Sequence, residues 1–171
     1  MQLQEGQIYA GTLSISGGDG PFRRWIVVAP FGKTHIHSID DPLDLHCWPA
    51  SLIEPGIESG RLRYVDTVAD HPALRVQRLK ETLGVRDAHL SIDERQLERL
   101  LDALRATVNA GQDTAPYLAG EILGAVARSA PLLERDTVIT DTVHAILAGR
   151  ERITPPGSTD QPAGMPGRPA G

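Results

Sequence analysis

Hydrophobic and polar residues change their spacing near residue 68. Before it they alternate in twos. From Gln7 to Ile15 the alternation puts Tyr9, Leu13 and Ile15 on one face with Gly11 between them, the pattern of a half-buried strand. Gly17-Gly-Asp-Gly-Pro21 is a turn by composition. Phe22 to Ala29, with Trp25-Ile-Val-Val28 at its centre, is too short for a helix and rich in β-branched residues, so it is predicted as a strand. Lys33 to Ile39 alternates again, with Lys33, His35, His37 and Ile39 on one side and Thr34, Ile36 and Ser38 on the other. Neither side is cleanly apolar, and a polar strand surface is expected. After the Asp40-Asp-Pro42 turn the chain to Pro55-Gly56 reads as irregular with one short strand. Arg61 to Thr67 alternates with Leu62 and Tyr64 inward.

Beyond residue 68 the apolar spacing becomes three and four. Val76, Leu79 and Leu83 mark a helix opened by His71 and Pro72, capped by Asp70 and stopped at Gly84. Ser91 with Glu94 reads as a capping box. It introduces Leu97, Leu100, Leu101, Leu104 and Val108, an amphipathic stripe ending at Gly111. Residues 116–129 form an Ala-rich helix with Leu118, Ile122, Leu123 and Val126. Val138-Ile-Thr140 is ambiguous, and Thr140 or Asp141 caps a last helix with Val143, Ile146 and Leu147.

The fold class is therefore α+β: a small antiparallel β-sheet or SH3-like barrel followed by an α-helical module. The expected divisions are a β domain over 1–68, a helical module over 69–153 and a tail over 154–171. Five prolines and four glycines in that tail cannot build a core, so disorder is expected there. Pro166 and Pro169 have P-x-x-P spacing, a weak signal in so proline-rich a stretch.

Composition narrows the classes. The net charge of -5 divides into -3 over residues 1–66 (five basic, eight acidic), -2 over 67–153 (eleven basic, thirteen acidic) and none in the tail. No segment is the basic surface that phosphate contacts require, so a nucleic-acid partner is disfavoured. No apolar run approaches the roughly 20 residues of a membrane span, and no membrane association is expected. A single cysteine and a start without a basic, apolar leader point to a bacterial-style cytoplasmic protein.

Candidate chemistry gathers at one place. His35, His37, Asp40, Asp41, Asp44, His46 and Cys47 fall within thirteen residues. Imidazole, carboxylate and thiolate bind divalent metals and carry protons near neutral pH. His35 and His37 project from one face of a strand. With a third ligand from Asp40, Asp41, Asp44, His46 or Cys47 they form a candidate site for zinc or another divalent metal, and hence for metal-assisted hydrolysis. The competing expectation is a polar strand beside an acidic loop with no cofactor. A metal-free arrangement would use a histidine base oriented by Asp40 or Asp44, or Cys47 as nucleophile beside a histidine other than His46, which points away from it in an extended segment.

Arg23 and Arg24 beside Trp25, with Arg61 and Arg63, make a second constellation able to hold phosphate and stack a base. Gly6-Gln-Ile-Tyr9, the glycine turn and the Arg-Arg-x-Ile-Val-Val strand share features with the small-barrel endoribonuclease toxins of toxin–antitoxin pairs. The proline those proteins carry after the basic pair is absent here, and the helical half has no counterpart in them. That likeness implies an RNA-binding or RNA-cleaving role and nothing more. Gly17-Gly18-Asp19-Gly20 lacks the Gly-Lys-Ser/Thr ending of a phosphate loop. Gly120 and Gly124 are separated by three residues in a helix without membrane character, which predicts close packing with another helix.

The leading functional expectation is a non-enzymatic protein-binding or accessory module. It acts through its helical half, by Leu97, Leu100, Leu101 and Leu104, on a protein partner or a second copy.

Overall fold

In the computed structural model, residues 3–13, 20–28, 35–43, 50–85, 92–128 and 136–149 are described. Four strands form one antiparallel sheet: β1 (Gln7–Thr12), β2 (Phe22–Val28), β3 (His35–Ser38) and β4 (Leu62–Thr67). Their spatial order is β3-β2-β1-β4, an open sheet and not a closed barrel. Helix α1 (Ala50–Glu58) precedes β4, and α2 (Pro72–Thr82), α3 (Glu94–Asn109), α4 (Ala115–Arg128) and α5 (Asp136–Leu147) come after it. None of the described helices is long and apolar enough to cross a membrane.

Pairing register assigns the two faces. Tyr9 lies opposite Trp25 and Tyr64, and Trp25 lies opposite Ser38. On that face Tyr9, Trp25, Val27, Ile36 and Leu62 pack with Ile53 of α1 and with Leu3. The other face carries Ile26 and Val28, which join a larger core built from Leu74 and Val76 of α2, Leu100 and Leu104 of α3, Leu118 and Ile122 of α4 and Val143 of α5. Among the described residues the sheet is thus covered on one side by α1 and on the other by the helical layer. Strand β2 contributes alternate residues to both cores, so its run of four buried side chains, Trp25 to Val28, results from its central place.

Several local expectations change. Residues 50–58 are helical, where the stretch to Pro55-Gly56 reads as irregular with one short strand. Ile53 is fully buried, and Gly56 lets α1 close on Leu62, so burial outweighs the local preference. Helix α2 is capped by His71, not Asp70: the His71 Nδ1 accepts from the Ala73 N–H at 3.2 Å. The capping box of α3 is Asp93 with Gln96 in place of Ser91 with Glu94. Gln96 N–H donates to Asp93 at 2.7 Å, and the Gln96 side chain accepts from Asp93 N–H at 3.1 Å. Helix α5 starts at Asp136 and takes in the ambiguous Val138-Ile-Thr140. Tyr64 is 57% exposed, not inward. It meets the ring of Tyr9 edge-on at 6.0 Å, at the margin of the sheet. Gly84 and Gly111 end α2 and α3 with positive φ, as their positions after the last apolar residue imply.

Candidate functional site

His37 is not on a polar surface. Its register partner is Ile26, which faces the helical layer, so the imidazole is carried inward and is completely buried. There it joins Gln77 and Lys80 of α2 and Glu121 of α4. Glu121 Oε1 accepts from His37 Nε2 at 2.8 Å and from Gln77 Nε2 at 2.6 Å. Glu121 Oε2 accepts from Lys80 Nζ at 2.8 Å, and Lys80 also donates to Gln77 Oε1 at 3.3 Å. All four residues are at most 9% exposed.

Burial alone would raise the carboxyl pKa of Glu121. The Lys80 charge and the His37 hydrogen bond outweigh burial and hold it well below the ordinary range. The carboxylate is therefore ionised, and the Lys80–Glu121 pair is internally neutral. A buried ion pair persists only where its oxygens and protons find further partners, and His37 and Gln77 supply them. The His37 Nδ1 has no hydrogen-bond partner among the described residues. The His37 ring stands 6.3 Å from that of Tyr117, which also meets His71 edge-on at 5.3 Å. Tyr117 donates to the Ile39 carbonyl at 3.4 Å. Burial, Arg75 and His37 together push the His71 pKa below its usual value, which keeps its Nδ1 free to accept as a cap.

The remaining candidate residues are dispersed. Asp40 binds Arg24 three times, through the backbone N–H at 2.7 Å, Nε at 2.9 Å and the terminal guanidinium nitrogen at 2.6 Å. The Arg24 hydrogen bond holds the Asp40 carboxyl below its ordinary range. His37 and Asp40 thus serve different partners. His35 lies at the start of β3. Asp44, His46 and Cys47 lie outside the described residues, as does the 154–171 tail. Among the described residues no group of three His, Cys, Asp or Glu side chains is arranged to hold a metal.

Arg23 approaches Asp41 at 3.6 Å, and Arg61 Nε donates to Ser59 Oγ at 3.1 Å. Arg24 and Arg63 flank Ala10 in register, and Arg63 is exposed. Leu97, Leu100 and Leu104 are core residues at 6%, 1% and 0% exposure, with Leu101 packed partly against them. A crevice of about 500 Å³ lies between α2 and the α3–α4 turn, lined by Arg75, Val76, Leu79, Gln112, Asp113 and Thr114. Arg75 in that lining is already paired with Asp113 at 3.2 Å.

Sequence reasoning missed Lys80, Gln77 and Glu121. A signal was present: Lys80 stands four residues after Val76 on the apolar side of α2, and Glu121 interrupts the apolar run Leu118-Ala-Gly-Glu-Ile-Leu123. A charge on a buried helix face calls for a buried partner. Comparison with family models, with curated proteins and with solved structures finds no match to the chain.

Proposed function

We propose that this protein is a protein-binding module that docks its partner along the outer edge of β4. The observation that carries the reading is the exposure of β4: after Leu62 every residue of the strand, Arg63 to Thr67, is exposed. Strand β4 is also terminal in the sheet, so its outer row of N–H and C=O groups has no strand beside it among the described residues. Such an edge is a template for strand addition, in which main-chain hydrogen bonds give affinity and alternate side chains give specificity. Tyr64 and Val65, 57% and 53% exposed, supply apolar contacts there.

The docking surface is assigned to this edge, and not to the leucine stripe of α3, because Leu97, Leu100 and Leu104 are occupied in the core. Metal-assisted hydrolysis draws less support. It would require His37 to leave Glu121, and Asp40 to leave Arg24, before either could ligate. An RNA role draws less as well, since Arg23 and Arg24 face Asp41 and Asp40.

The test is a photo-crosslinking amino acid placed at Tyr64 in the full chain, with the same group at Val138, which is 66% exposed, as control. A discrete protein adduct formed from position 64 and not from position 138 is the expected result. Equal labelling from both positions, or none from position 64, would overturn the reading.

A further inference from the structure

We infer that the partner at this edge is a second copy of the same chain, paired antiparallel through β4 about a two-fold axis between Tyr64 and Val65. The inference rests on the docking-edge reading and names its occupant. In the β1–β4 register Ala10 lies opposite Arg63, and Ile8 lies opposite Asp66, with an irregularity between Ile8 and Tyr9. Residues 8 and 10 of a strand share a face. Arg63 and Asp66 therefore also share a face, although residues three apart in a regular strand would not. The extra residue, Val65, is a β-bulge that re-aims the side chains after it.

The bulge determines which self-pairing is possible. A two-fold axis perpendicular to the sheet keeps each face on its own side, and residues paired across the dyad must lie on the same face. Without the bulge, Arg63 and Asp66 would stand on opposite faces and could not meet. With it, Arg63 of each copy lies opposite Asp66 of the other, and Tyr64 lies opposite Val65. The edge then makes two opposite-charge pairs, stabilising across strands, with Tyr64 and the bulge residue Val65 meeting at the dyad. Sliding the register by one residue in either direction parts both charge pairs. The Arg-Tyr-Val-Asp sequence is thus complementary to itself in charge when reversed.

Sedimentation equilibrium over a wide concentration range tests this on the full chain and on Arg63→Asp, Asp66→Arg and the double exchange. The native chain is expected to dimerise reversibly. Each single change sets like charges against each other twice and raises the dissociation constant by roughly tenfold or more, and the double exchange restores it. All four side chains of the segment are exposed, and circular dichroism with the melting temperature confirms that each variant is folded. A native chain that stays monomeric, or a dimer that the single changes leave intact or the double exchange fails to restore, overturns the inference. A monomeric chain whose Tyr64 position still crosslinks to a different protein removes the second copy as partner and leaves the docking edge standing.

Discussion

At the scale of single residues, the molecule is organised by what surrounds Glu121. Its carboxylate holds His37, Gln77 and Lys80 in one buried set, so removing its charge leaves the Lys80 ammonium buried without a counter-ion. Glu121→Gln is expected to lose about 3–5 kcal/mol in urea unfolding. Lys80→Met combined with Glu121→Met is expected to lose less than the two single changes added, by roughly 1–3 kcal/mol of coupling. Strict additivity would mean that the pair does not act as a unit. Acid acts on the same residues. The Glu121 pKa is lowered on folding, so its contribution is complete above the ordinary carboxyl value of 4.5 and is lost as pH falls through the folded value. His71 acts earlier. Its pKa is also lowered, by burial first, then by Arg75 and His37. The neutral ring therefore stabilises the fold above its ordinary value of 6.5, and that stability declines as pH drops below it. His71→Asn keeps an acceptor at the cap and cannot titrate, so its melting temperature is expected to fall less than the native chain's from neutral pH to mildly acidic pH. Parallel curves would exclude His71 as the group responsible. His37 was legible in the sequence as unusual; its environment was not, because its partners lie forty residues and more away in the chain.

Among the elements, the long amphipathic runs were the legible part. The stripe of α3 and the strand around Trp25 to Val28 stand where their periods put them. Short elements whose form depends on what covers them were not legible. Helix α1 contains a proline and a glycine, and it exists because Ile53 and Ile57 close over the sheet. Gly120 shows the same dependence. Its spacing with Gly124 implies a close approach, and the approach is real, but the neighbour is the backbone at Pro42 and not another helix. A Cβ at Gly120 would overlap the Pro42 carbonyl oxygen. Gly120→Ala, ordinarily favourable within a helix, is therefore expected to destabilise by about 1–3 kcal/mol. An unchanged or raised melting temperature would show that α4 does not pack against this turn. Sequence spacing reports that a surface is covered; it carries no record of which segment covers it.

For the whole molecule, the two ends of the sheet are unlike. Strand β3 is terminal in hydrogen bonding, yet Ile36, His37 and Ser38 are at most 1% exposed, with His37 held to α4 by the polar set. Strand β4 is terminal and exposed over its last five residues. The sequence made both look alike, as short alternating strands with charged or polar members, because alternation does not distinguish an edge under helices from an edge in water. Strand β3 is thus held within the fold, whereas β4 lies at the surface. Hydrogen–deuterium exchange of the dilute native chain, resolved to the peptides spanning 35–38 and 62–67, tests it most directly. Slow exchange at β3, comparable with the core helices, together with fast exchange of the outward amides of β4 is the result predicted. Equal protection of the two strands, or fast exchange at β3, would contradict it.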